Sequence, residues 1–259
     1  MRRSITSAAT DRRRLAAILI AELVCALLLV GRAEQGPAGP AVATQASHTT
    51  PAAPSTSETL RDGRTVRLIG LGGSTAPLLS RISAELDGAA NAVTEFWGPD
   101  WPRDVVVVAA GTDEQFAAVG GGDSHTAATT TGERIMFAPG AAAMSDASLR
   151  IVLRHELFHF AARAQTAPDA PRWLTEGVAD FVARPPVRVD VMPTPPTDAE
   201  LDGPDRSQAY DRAWMFSLFV ADRYGADKLR ELYTRACGHG HPDAATAVRE
   251  TLGIELPLT

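Results

Sequence analysis

The sequence predicts an α+β fold: a small N-terminal β-sheet with one helix, followed by a mainly helical half. Three observations carry this. β-prone runs are confined to the stretch between Thr65 and Phe137, helical periodicity takes over after Gly140, and 259 residues with 45% apolar side chains suffice for one good core and little else.

The first fourteen residues hold five arginines (Arg2, Arg3, Arg12, Arg13, Arg14) against Asp11, and residues 15–31 read LAAILIAELVCALLLVG. A basic segment (1–14) followed by an apolar run is an export signal, and positive-inside bias sends the rest of the chain across the membrane. Seventeen residues at ~1.5 Å each reach about 25 Å, short for a span, and Glu22 sits in the middle at a cost. Both facts favour a cleaved signal peptide. Against cleavage, Gly31-Arg32-Ala33 is a poor site and Ala41-Val42-Ala43 lies far downstream. We read 15–31 as a single-span anchor holding the C-terminal part outside the cytoplasmic membrane, with cleavage and secretion as the alternative. Cys25 is then a buried apolar side chain; Val24 stands where lipid attachment would call for a small residue. Residues 32–58, rich in Pro, Ala, Ser and Thr, read as a disordered linker in which His48 is solvated. The remaining 59–259 read as one domain.

Within it, Thr65 to Ile69 predicts a strand, and Leu78, Leu79, Ile82, Leu86, Ala89 and Val93 fall at the three- and four-residue steps of a helix from about Pro77 to Phe96. Val105 to Ala110 reads as a buried strand. Thr112-Asp113-Glu114 opens a short helix ended by glycines 120 to 122, and Ala127 to Thr131 and Arg134 to Phe137 are two further β-prone pieces. With two cysteines, one of them Cys25, no disulfide framework is available to the domain. The excess of 31 Asp+Glu over 25 Lys+Arg excludes the basic stripe of a nucleic-acid binder.

The helix from about Asp146 to Gln165 carries the chemistry. It contains His155-Glu156-Leu157-Phe158-His159, the pattern H-E-x-x-H. Residues four apart share a helix face, so two imidazoles can each set a nitrogen ~2.0 to 2.1 Å from one zinc ion. Glu156 projects beside such an ion and can act as general base toward a water there. By composition the pattern would arise by chance in about 0.7% of such chains, so the motif outweighs coincidence. A third ligand is needed, and the next predicted helix, from Pro171, offers Glu176 in WLTEGVAD. Trp173, Leu174, Val178 and Phe181 form its buried stripe, with Trp173 read as core. Asp180, four residues beyond Glu176, can accept a hydrogen bond from the far nitrogen of a liganding histidine.

HELFH followed by WLTEGVAD resembles the gluzincin zinc metallopeptidases, and more narrowly exported bacterial proteins with a peptidase MA-like domain, over residues 130 to 235. The resemblance implies a zincin-like helical half, one Zn2+ held by His155, His159 and Glu176, Glu156 as base, Asp180 behind the ligands, and a peptide or protein as substrate. Sixteen residues separate His159 from Glu176, tighter than in thermolysin-like enzymes, so AQTAPDAP must be a compact connection. In the same frame Gly132 to Pro139, GERIMFAP, looks like the edge strand along the cleft, an ordinary interior strand being the alternative. Tyr210, beginning an apolar helix, is the candidate donor to a developing oxyanion, ahead of Tyr224 and Tyr233; a core anchor is the other reading. Cys237, His239 and His241 read as a loop between the last two helices, and His125 beside three glycines could approach a cleft. Two rivals stay open: an anchored, non-catalytic binding module keeping zinc for structure, and hydrolysis of a bond other than the peptide bond.

Overall fold

A computed structural model of the chain describes residues 54–118 and 126–257. The apolar run at 15–31 with Cys25, the linker with His48, glycines 120 to 122 and His125 lie outside the described residues. Among those described, no helix is long and apolar enough to cross a membrane.

Five strands form one sheet: β1 Ser55–Thr59, β2 Thr65–Gly70, β3 Asp104–Ala109, β4 Ala128–Thr130 and β5 Ile135–Phe137, in the order β1-β2-β3-β5-β4. The central three are parallel, with Val66 opposite Val105 and Leu68 opposite Val107; β1 and β4 pair antiparallel at the two edges. The continuous apolar run of β3 follows from burial on both faces. Val105, Val107 and Ala109 enter the main core, while Val108 and Ala110 meet Met136 of β5 and Phe116 of the short helix α2 (Asp113–Ala118) on the other side.

Two expectations are corrected here. Strand β1 takes up the last four residues of the segment read as linker, because Ser55 to Thr59 find a backbone ladder on β2 that their polar side chains gave no sign of. GERIMFAP is not the edge strand. Its central three residues, β5, lie between β3 and β4 with all three side chains buried, and the edge belongs to β4.

Helix α1 (Thr75–Trp97) packs its stripe of Leu78, Ile82, Leu86, Ala89 and Val93 into the main core. Against it lies α3 (Asp146–Ala162), capped by Ser145, whose hydroxyl accepts from the Ser148 amide at 3.1 Å. Arg81 of α1 donates to the Met144 carbonyl (2.6 Å) and to Asp146 (2.8 Å), and Arg150 of α3 grips Glu85 through two bonds of 2.7 and 2.8 Å. The expected helix to Gln165 tightens to a 3-10 turn at Arg163–Gln165. Two contacts then fold the connection back: Ala167 donates to the Cys237 carbonyl at 2.7 Å, and the Thr166 hydroxyl meets the Tyr233 hydroxyl at 2.9 Å. That is how sixteen residues suffice between His159 and Glu176.

Helix α4 (Arg172–Ala183) begins one residue after Pro171, and after the single turn α5 (Asp198–Leu201) comes the long α6 (Arg206–Tyr224). They cross at Gly177, where a β-carbon would stand 2.4 Å from the Ala213 carbonyl oxygen. Only glycine allows that approach. Helices α7 (Ala226–Cys237) and α8 (Ala244–Leu252) close the domain.

Candidate metal centre

Three side chains from two helices converge. His155 and His159 stand four apart on α3, and Glu176 enters from α4; each offers a donor atom, and these lie within 4.8 Å of one another. The two Nε2 atoms are 3.0 Å apart, His155 Nε2 is 3.2 Å from one Glu176 oxygen, and His159 Nε2 is 3.6 Å from the other. His155 and Glu176 are buried, and the His159 side chain keeps 14% of its surface open, so solvent reaches the cluster past His159.

The donor set fits a divalent cation on two counts. Bonds of ~2.0 to 2.1 Å in a tetrahedron put ligand atoms about 3.3 to 3.4 Å apart, and His155 Nε2 stands near that spacing from both His159 Nε2 (3.0 Å) and Glu176 Oε2 (3.2 Å). Glu176 Oε2, moreover, is buried with no hydrogen-bond partner among the described residues and faces His155 Nε2; acceptors crowded together in a low dielectric need a cation or a proton between them. Burial alone would raise the Glu176 carboxyl. Its contacts with His159 and His155 outweigh that and hold the carboxyl below its usual range.

Behind the cluster, Asp180 Oδ1 accepts from His155 Nδ1 at 3.0 Å, which leaves Nε2 as the acceptor nitrogen turned toward Glu176. The other Asp180 oxygen accepts from Arg184 at 3.2 Å. On the same helix, Glu156 Oε2 accepts from the Thr130 hydroxyl of β4 at 2.6 Å, the Glu156 carbonyl oxygen lies 3.0 Å from that hydroxyl, and the Thr130 carbonyl accepts from Arg163 at 3.2 Å. Through Thr130 the sheet edge is fastened to the helix that carries both histidines.

Tyr210 lies one turn inside α6 rather than at its start, and it is buried. Tyr233 is a core side chain: it meets Trp97 and Phe158 edge-on at 5.3 and 5.4 Å, and burial pushes its phenol up. Tyr224 packs partly buried against the core. Trp173 is likewise core, edge-on to Phe216 at 4.9 Å. Cys237, His239 and His241 stay apart: the thiol is fully buried, while the histidines line a surface hollow of about 830 Å³ on the far end of α7.

Thr130, Arg184 and the close approach at Gly177 escaped the reading of the sequence. Arg184 stands at the four-residue step from Asp180 and could have been found by helix spacing. A glycine in mid-helix is also a signal of close packing. Nothing local marks Thr130, because its partner is 26 residues away.

The family model described as the eCIS core domain matches residues 101–167. It is not the peptidase MA-like family that the sequence resembles, and its span takes in His155, Glu156 and His159 while leaving Glu176 and Asp180 outside. No curated protein matches the chain. Among solved structures, it is similar to an M1 zinc metallopeptidase from Deinococcus radiodurans at 16% identity and a TM-score of 0.47, over 78% of this chain and 48% of that one. A two-domain M1 zinc metallopeptidase bound to L-arginine is similar at 15% identity and a TM-score of 0.47, over 78% and 49%. The chain spans about half the length of these structures. At such identity the functional reading stands on the side chains themselves.

Proposed function

We propose that this chain is a zinc-dependent peptidase of gluzincin type, hydrolysing peptide bonds outside the cytoplasmic membrane. One observation carries the reading: His155, His159 and Glu176 bring their donor atoms within 4.8 Å of one another, on a helix where Glu156 follows His155 and has its carboxylate held by Thr130. The basic and apolar segments at residues 1–31 support the extracytoplasmic location.

In this reading His155, His159 and Glu176 hold the ion, which would supply Lewis acidity toward a substrate carbonyl and toward water. Asp180 keeps the His155 proton on Nδ1 and so keeps Nε2 available. Glu156 takes a proton from the attacking water and returns it to the leaving amine nitrogen, and the Thr130 hydroxyl keeps that carboxylate from turning away. Tyr210 donates its phenolic hydrogen to the carbonyl oxygen as negative charge gathers there. Strand β4, at the end of the sheet and fastened to α3, is the backbone an extended peptide would lie along.

Glu156→Gln keeps the size of the side chain and removes its basicity. The variant is expected to bind zinc like the parent, measured by elemental analysis, and to lose about 10²- to 10⁴-fold in kcat on a peptide library. Turnover at the parental rate would remove Glu156 from its role, and chelator-insensitive cleavage would remove the metal. A second reading, a non-catalytic module with structural zinc, is favoured by the deep burial of His155 and Glu176. Closed structural sites take four protein ligands, whereas three donor side chains converge among the described residues. X-ray absorption on the zinc-loaded protein separates the two: three protein ligands support the peptidase, four the module.

A further inference from the structure

Arg184, just past the end of α4 and unused in the mechanism above, binds three groups. Its Nη1 donates to Asp180 Oδ2 at 3.2 Å, its Nη2 to Asp211 Oδ1 of α6 at 2.9 Å, and its guanidinium carbon lies over the Trp214 ring, 3.7 Å from the centroid. Its backbone amide also donates to the Asp180 carbonyl at 2.9 Å. The guanidinium is therefore held from two helices and stacked, with no freedom to swing. Asp180, by contrast, is 1% exposed.

A buried carboxylate with one partner can rotate about its last torsion. With both oxygens engaged it cannot. Oδ2 on Arg184 fixes where Oδ1 points, and Oδ1 fixes the ring plane of His155. We propose that Arg184 is a positioning residue of the metal centre: clamped by Asp211 and Trp214, it locks Asp180 so that His155 presents Nε2 at the cluster. The chain of contacts His155, Asp180, Arg184, Asp211 joins α3 through α4 to α6, so packing between α4 and α6 is transmitted to a ligand. This inference rests on reading His155, His159 and Glu176 as a metal site.

The test is zinc affinity of the full chain, read by competition with a chromophoric chelator, so no substrate is needed. Arg184→Gln is expected to weaken zinc binding about 10- to 100-fold. Arg184→Lys, which keeps the charge but cannot span two carboxylates while stacked on Trp214, is expected to recover part of that loss. Arg150→Gln, which breaks an exposed ion pair on α3, serves as the control and leaves affinity unchanged. In nuclear magnetic resonance of the zinc-loaded protein, the downfield Nδ1 proton of His155 is expected to broaden or vanish in Arg184→Gln and to persist in Arg150→Gln. A folded Arg184→Gln variant with parental affinity and an intact Nδ1 signal overturns the proposal. Should that variant fail to fold, Asp211→Asn, which loosens the far side of the clamp, decides instead: a several-fold loss of affinity supports the role and an unchanged one overturns it. A parent chain that binds no zinc overturns the metal site itself, a result distinct from either.

Discussion

Two regions of this molecule carry metal-binding residue types at close spacing, and only one assembles them. On α3 and α4, His155, His159 and Glu176 put their donor atoms within 4.8 Å of one another. At the end of α7, Cys237, His239 and His241 are nearer in sequence yet form no such group among the described residues. Cys237 ends a helix and is sealed in the core, where burial pushes its thiol up. His241 donates from Nδ1 to the Pro242 carbonyl at 2.8 Å and turns Nε2 toward Asp169 at 3.5 Å. The difference is backbone geometry: a helix repeats its side-chain directions every four residues, and a glycine-rich loop does not. Spacing is evidence of a site only where a regular backbone converts it into direction.

The largest test of this contrast compares histidines. His159→Ala is expected to weaken zinc binding about a hundredfold or more, since zinc free energies of about 10 to 16 kcal/mol are shared among few ligands. His239→Ala and His241→Ala should leave affinity within about twofold. Isothermal titration distinguishes them, and equal losses in all three would break the comparison.

Next in size is the reverse face of α3. Phe158 lies between the two histidines' turns but points away, edge-on to Trp97 at 5.6 Å and Tyr233 at 5.4 Å, fully buried. Phe158→Ala is expected to cost about 3 to 5 kcal/mol of stability in urea unfolding. A loss below about 1 kcal/mol would mean that the aromatic cluster does not brace the motif helix.

Gly177→Ala tests whether helix crossing sets ligand position. Its methyl group collides with the Ala213 backbone, so α4 must move off α6, at about 1 to 3 kcal/mol, carrying Glu176 with it. Zinc affinity should fall alongside stability. If stability alone falls, the crossing is packing without consequence for the centre.

The smallest effect belongs to the single turn α5. Glu200 closes a capping box with Thr197, whose backbone amide, together with Arg212 and the Thr197 hydroxyl, lowers the Glu200 carboxyl from 4.5 to about 2. A depressed folded pKa means a contribution to stability present above about 4.5 and lost as pH falls toward about 2. The thermal midpoint of Glu200→Gln should therefore lie slightly below the parent's at pH 6 and converge with it near pH 2. A difference that widens on acidification would reverse the assignment.

Much of the centre was legible along the chain because its parts repeat at helical steps. The stripe of α1, the H-E-x-x-H face, Glu176 with Asp180, and the apolar run of β3 each declare themselves within a few residues. Other parts had no local signature. Ser55 to Thr59 look like the polar tract before them and become a strand only because β2 offers an edge. The strand after residue 130 was placed at the sheet edge, yet register with β3 drew it inside and left the edge to β4.

Helical periodicity was thus enough to decide which residue types face one another across α3 and α4, since a 3.6-residue turn is a property of the backbone and needs no partner. Which strand lies outermost, which hydroxyl holds Glu156 and which carboxylate holds Arg184 from the next helix were settled by folding alone. Those contacts join Thr130 to Glu156 and Arg184 to Asp211 across 26 and 27 positions. Nothing in a run of neighbouring side chains encodes a distance that closes only when separate elements pack.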